Sequence, residues 1–242
     1  MSDQQVYVQA LGLGLDPAWR RRSAEDRHTD GCDFRLAEED AERLGVRSTL
    51  YSMVGLQPGT DLLLWRMAGS IDALEDAASA VLNSGVGRWM TVRESFLGRT
   101  GASQYVRRPT SQEQSLFEGE RSRYLVVYPF TKTTEWYLLG KEARQGIMNE
   151  HMRVGHDYPG VRQLLAYSFG LDDQDFVVAY ETDDLVEFGD LVRTLRATES
   201  RRSTVNDTPI LAGIHRPIQE ALVRLGAPAD APGDAQPDRA VE

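Results

Sequence analysis

The sequence predicts an α+β fold built from two ferredoxin-like repeats in tandem, a dimeric α+β barrel with antiparallel sheets and helices on the outer face. An internal duplication points there first: Tyr51-Ser52, Gly55-Leu56, a turn, Asp61, an apolar strand and a helix recur as Tyr167-Ser168, Gly170-Leu171, a turn, Asp175, an apolar strand and a helix. Around each copy the pattern reads strand, helix, two strands, helix, strand, an order that yields an antiparallel sheet covered on one face. Between the copies, residues 99–122 carry few periodic signals and read as a connector, the kind of long loop that is often functional. The expected organisation is therefore a first repeat over 1–98, the connector 99–122, a second repeat over 123–226 and a disordered acidic tail over 227–242, which is dominated by Ala, Pro and Asp.

Taken in order, Val6–Leu13 reads as a strand. Trp19–Leu44 reads as a long charged helix, with Pro17 near its start, Gly45 as its stop and an interruption expected near Gly31. Arg47–Val54 and Thr60–Met67 form a hairpin across Gln57-Pro58-Gly59. Ile71–Leu82 is amphipathic, with Ile71, Leu74, Ala78 and Val81 along one face, and Val92–Leu97 is the next strand. In the second half Tyr124–Phe130 is an aromatic, β-branched strand and Lys141–Asp157 a helix without interior proline. Two further strands pair around the aspartate-marked turn Leu171–Asp175.

Composition narrows the function. The chain has 242 residues, is 41% hydrophobic and carries a net charge of −10 with a pI near 5.0. Such an acidic chain without a basic tract is a poor binder of nucleic acid or anionic membrane. Its segments are too short in apolar residues to span a bilayer, and the N-terminus MSDQQVYVQALG lacks the features of a signal peptide. The single Cys32 rules out an internal disulfide or a cysteine metal cluster and is assigned a structural role. The expectation is a cytoplasmic protein.

Chemistry centres on His151. Ile147, His151, Val154 and Tyr158 recur at helical spacing, so His151 lies within an otherwise apolar stripe, whereas His156 is turned about 140° away and is expected to be exposed. Two readings are open for such a histidine: a core residue hydrogen-bonded to a neighbour, or an axial metal ligand aimed into a cavity. His28, in a charged helix, reads as a solvated surface residue.

The ordered motifs Tyr128-Pro-Phe-x-Lys132, Glu135-Trp-Tyr, Glu150-His151, Tyr167-Ser-Phe-Gly-Leu-Asp-Asp-Gln-Asp-Phe and Asp207-Thr-Pro resemble those of the chlorite dismutase superfamily, nearest its coproheme decarboxylases. The likeness runs from Asp16-Pro-Ala-Trp through Pro217. It implies a porphyrin-binding second repeat, usually assembled into a pentameric ring. His151 would be the iron ligand, with iron coproporphyrin III as substrate and cofactor at once, haem b as product and hydrogen peroxide as oxidant. Tyr128 would be the redox-active phenol, and Lys132, on the same strand face, would pair with a propionate. Gln163 would stand at the distal position, where chlorite dismutases carry arginine, and its neighbour Arg162 is the competing assignment. Glu199 would orient the His151 ring; its other reading is a surface helix acid. Tyr105 and Arg196 would lie near substrate carboxylates and Trp136 beneath the site; Tyr128 otherwise fills core and Arg196 otherwise ends a helix at the surface. The chain departs from the pattern in the connector, where Glu113-Gln-Ser-Leu-Phe117 stands in place of a carboxylate-binding arginine. Two alternative readings remain: a haem-retaining enzyme (peroxidase-like, chlorite-degrading, or recruited to specialised metabolism), and a non-enzymatic haem carrier or sensor.

Overall fold

The structure is a computed structural model, and it describes residues 5–101, 105 and 119–229. The first half comprises β1 (Tyr7–Leu15), α1 (Ala24–Glu39), β2 (Val46–Gln57), β3 (Thr60–Ala68), α2 (Ile71–Leu82) and β4 (Met90–Arg99). The second comprises β5 (Tyr124–Lys132), α3 (Thr134–Leu138), α4 (Lys141–His156), β6 (Val161–Tyr167), β7 (Phe176–Thr182), α5 (Leu185–Arg196), β8 (Thr204–Asn206), β9 (Leu211–His215) and α6 (Ile218–Leu225).

Each half forms a four-stranded antiparallel sheet, β4-β1-β3-β2 and β6-β7-β5-β9. Two thin seams join them, Arg99 opposite Tyr167 on one side and Tyr51-Ser52 opposite His215 and Ile214 on the other. Because β5 also pairs with β7, the strands close into a barrel, with short β8 added against Thr131 and Lys132. Strand side chains alternate between faces, so Val8, Ala10, Tyr51, Met53, Leu63, Trp65, Leu125, Val127, Leu164, Ala166, Val177 and Ala179 fill the interior. The opposite faces meet the helices. Closing a sheet in this way leaves few free edges, which is one reason the architecture tolerates an apolar interior.

The duplication is visible in atomic detail. Asp61 accepts the backbone N–H of Leu15, at the end of β1, at 2.8 Å, and Asp175 accepts that of Lys132, at the end of β5, at 2.7 Å. Gly55 and Gly170 take φ of +74° and +73°, values open to glycine at little cost. Asp16 caps the turn Pro17–Arg21 that buries Trp19, and Thr133 caps α3, which buries Trp136.

The outer faces are filled differently. Over the first sheet, Trp19 and Phe34 pack with Ala221, Leu222 and Leu225 of α6, so a helix from the end of the chain seals that face. Over the second, α4 and α5 cover a smaller buried set, Val154, Val161, Val178, Tyr180 and Leu191. Among the described residues no extra helix seals this second face. The repeats share a plan, but their outer faces are closed by different elements.

Several expectations are adjusted. The expected helix Trp19–Leu44 is three pieces, a 3-10 turn at Pro17–Arg21, α1 and a second 3-10 turn at Asp40–Leu44. The break falls at Ser23, whose hydroxyl caps α1 by accepting from Asp26 N–H. Gly31 does not interrupt the helix; it packs beside Ala227, where an added Cβ would lie in ordinary contact at 3.6 Å. Ala227 is buried in the same cluster, so packed chain extends past 226. On α2 the buried face is Leu74, Ala77 and Val81, while Ile71 is exposed. Most of the connector, and residues 230–242 of the tail, lie outside the described residues. Among the described residues no helix is long and apolar enough to cross a membrane.

Candidate functional site

Strand alternation builds the site. Leu125 and Val127 point into the barrel, so Tyr128, Phe130 and Lys132 face the helices. Opposite them runs α4, whose Val154 packs into the cluster lined by Tyr128 and Phe130. Tyr158, just past the end of α4, is tied to α5 through a 2.9 Å hydrogen bond between its hydroxyl and that of Thr194.

Lys132 is 8% exposed, its ammonium 4.4 Å from the centre of the Trp136 ring and 5.2 Å from that of Phe130. It donates to Ser200 Oγ at 3.1 Å and to the Ser200 carbonyl at 3.3 Å. None of these partners is anionic, so burial, and then the nearby Arg201, lower its pKa to about 8. His151 lies in the field of that ammonium. Burial first and Lys132 second lower its pKa to about 4, with Glu150 opposing, so the ring is neutral at physiological pH. Its Nδ1 is buried without a hydrogen-bond partner. A neutral imidazole with an orphaned nitrogen suits a metal ligand better than a satisfied core histidine. Among the described residues no three His, Cys, Asp or Glu side chains converge on a metal position.

Tyr128 stacks on Tyr180, ring centres 6.1 Å apart at 29°. Burial, then Tyr180 and Asp207, push the Tyr128 phenol well above its ordinary pKa, with Arg196 opposing, so it stays protonated. Arg196, the last residue of α5, is 55% exposed at its side chain and lies 3.8 Å from Asp207, which Arg201 holds at 2.5 Å. The ring of Tyr105 lies 6.4 Å from that of Trp136, and its carbonyl accepts from Gln145 of α4 at 3.4 Å.

On β6, Leu164 and Ala166 enter the barrel while Val161 joins the helix-side cluster, so Gln163 shares the face of Tyr128. Gln163 stands opposite Tyr180 in the β6–β7 register. Arg162 faces the other way: its guanidinium binds Glu181 at 2.7 Å and Ser122 Oγ at 2.9 Å. Glu199 does not take the orienting position expected of it. Its carboxylate pairs with Arg202 at 3.4 Å on the surface, while its backbone N–H donates to Glu150 at 3.1 Å.

Reasoning from sequence missed Tyr180 and Ser200. Alternation along β7 would have placed Tyr180 on the site face. Ser200 gives no signal, because its role depends on a 3-10 turn (Glu199–Ser203) reaching Lys132 across 68 residues.

The closed barrel and its duplicated halves, with His151 and Lys132 on the helix-covered side of the second, define a class of tandem α+β barrel proteins. Residues 28–216 match the profile of the family described as chlorite dismutase. The chain belongs to that family. It is 30% identical over 199 residues to the coproheme decarboxylase of Mycolicibacterium smegmatis (strain ATCC 700084 / mc(2)155), spanning 78% of this chain and 81% of that one. Among solved structures, a variant chlorite dismutase from Candidatus Nitrospira defluvii superposes with a TM-score of 0.83 at 28% identity, covering 91% of this chain and 95% of its own. A second variant of that enzyme gives 0.84 at 27% identity, covering 93% and 97%.

Proposed function

We propose that the protein is a peroxide-dependent decarboxylase that converts coproheme III to protohaem. The observation that carries this reading is a protonated, half-buried phenol (Tyr128) and a buried ammonium (Lys132) on one strand face, with a neutral histidine (His151) in the field of that ammonium. The residues fit an iron porphyrin: His151 would hold the metal, and Lys132 and Arg196 would meet propionates. When bound, the iron centre supplies the oxidising power that peroxide brings.

The chain's own residues would do the rest. Each propionate, –CH2–CH2–COOH, with one hydrogen peroxide gives a vinyl group, carbon dioxide and two waters. One carbon–carbon bond and one carbon–hydrogen bond break, the propionate is oxidised by two electrons and the peroxide is reduced by two. Tyr128, whose hydroxyl keeps its proton, is suited to give up and recover a hydrogen atom beside the propionate. Lys132 would fix the carboxylate, and Ser200 and Trp136 fix Lys132. Gln163 is uncharged, and Arg162 is held by Glu181 on the far side of the sheet. The substrate-facing wall therefore lacks at this position the cation that would stabilise a developing oxyanion, which favours decarboxylation over chlorite chemistry. We further propose that the protein is a cytoplasmic homopentamer, as the family resemblance implies.

The test is titration of the purified protein with iron coproporphyrin III, then peroxide, followed by mass spectrometry of the porphyrin. Two successive losses are expected. An unchanged porphyrin, or protohaem retained from purification, would favour a haem-retaining enzyme or carrier.

A further inference from the structure

Arg144 stands near the start of α4, seven residues before His151. Seven residues are close to two helical turns, so the two side chains leave the same side of the helix, about 10.5 Å apart along its axis. The burial pattern agrees: Arg144, Ile147, Met148 and His151 are half-buried and Val154 is buried, whereas Gly146 and Asn149 are exposed. Arg144 is thus the N-terminal end of the stripe that carries His151. Burial first, then Asp175, push the Tyr137 phenol up and the charge of Arg144 opposes them, which places the guanidinium beside α3. The next residue, Gln145, donates to the Tyr105 carbonyl, and Tyr105 and Lys132 both lie against the Trp136 ring.

The guanidinium is unmatched. Among the described residues it makes no ion pair and no hydrogen bond, and its Nε is enclosed without an acceptor. The two terminal nitrogens are not enclosed and keep accessible surface. Neighbouring acids are turned away or committed. Glu142, on the same helix, is exposed and points about 160° away. Glu150 accepts the Glu199 N–H at 3.1 Å, and Asp175 accepts the Tyr137 hydroxyl and the Lys132 N–H, each at 2.7 Å. Glu135 is exposed and bonds Thr133. A half-buried cation without a counter-charge is unfavourable in the free protein. An incoming carboxylate would remove that cost, and the guanidinium fork would hold it at two points.

We propose that Arg144 is a further carboxylate-binding residue of the His151 site, selecting a porphyrin with more acid groups than Lys132 and Arg196 can meet. This rests on the decarboxylase reading, whose substrate carries four propionates. An imidazole ligand stands perpendicular to the ring it binds, so a porphyrin held by His151 spreads along α4, towards Arg144. The test is absorbance titration of wild type and Arg144→Met with iron coproporphyrin III and with its tetramethyl ester, which keeps the ring and loses the carboxylates. Arg144→Met should bind the acid porphyrin about tenfold to a hundredfold more weakly than wild type and the ester equally well. Without ligand it should unfold at no lower urea concentration than wild type, since it gives up no hydrogen bond or ion pair. Should it not fold, Arg144→Lys decides: it keeps the charge without the fork and should lose up to about tenfold for the acid porphyrin alone. Equal losses for both porphyrins, or unchanged affinity for the acid, would overturn the role of Arg144. A wild type that binds neither porphyrin would overturn the decarboxylase reading and this inference with it.

Discussion

The ammonium of Lys132 sits 4.4 Å from the centre of the Trp136 ring, buried and, among the described residues, without an anionic partner. The aromatic face offsets part of the desolvation but leaves the pKa at about 8. A carboxylate arriving beside it would restore the charge. Affinity for iron coproporphyrin III should therefore be steady below pH 8 and fall as pH rises through about 8, with proton uptake on binding near that pH. Calorimetry in buffers of different ionisation heat measures this. Lys132→Ala should bind more weakly by about 1.5–3 kcal/mol and lose the pH dependence; an unchanged profile would remove Lys132 from carboxylate recognition.

His151 makes the opposite kind of prediction, because its pKa of about 4 lies below the unfolded value near 6.5. The unfolded chain takes up this proton first as pH falls. Stability is thus fully present above about pH 6.5 and is lost between there and pH 4, by up to about 1.4 kcal/mol per unit. Urea unfolding of ligand-free wild type and His151→Leu at stepped pH checks this: the variant should show the shallower decline. With iron porphyrin, His151→Ala should abolish the ferrous high-spin spectrum and the exposed His156→Ala should preserve it; the reverse outcome would reassign the ligand.

Tyr128→Phe keeps the ring and its stack on Tyr180 while removing the hydroxyl proposed to give up a hydrogen atom. It should fold, bind iron coproporphyrin III within about tenfold of wild type, and release no carbon dioxide on peroxide addition. Equal conversion in the two proteins would show that the oxidation passes through another residue.

Glu181 is fully buried, and Tyr51, Arg121 and Arg162 converge on it. Glu181→Leu should cost about 3–5 kcal/mol, because it removes the buried carboxylate that both guanidiniums share. Tyr51→Phe should cost only about 1–3 kcal/mol, the loss of one hydrogen bond to a charged group. Equilibrium urea unfolding ranks the two, and equal losses would mean that the carboxylate is not what holds the network.

Wild-type protein loaded with haem should release negligible oxygen from chlorite. Gln163 is the group on the site face, and Arg162 is engaged beyond the sheet. Vigorous oxygen evolution, measured with an electrode, would show that a cation reaches the pocket by another route.

By itself the sequence determined the duplicated α+β plan, the helix carrying His151 and the strand face shared by Tyr128, Phe130 and Lys132. These follow from short-range periodicity, since a strand repeats every two residues and a helix every 3.6, whatever lies elsewhere in the chain. The same period of two separates Arg162 from Gln163, once neighbouring Leu164 and Ala166 are known to fill the barrel. Only the tertiary structure decided the rest. That Ser200 holds Lys132, that Tyr180 stacks on Tyr128, and that Glu199 turns to Arg202 depend on where distant turns and strands meet. Likewise α6 folds back over the first sheet and not the second, so the two outer faces are sealed differently. Such contacts are fixed by which apolar faces bury one another when the barrel closes, a balance of packing over the whole chain that no local pattern records.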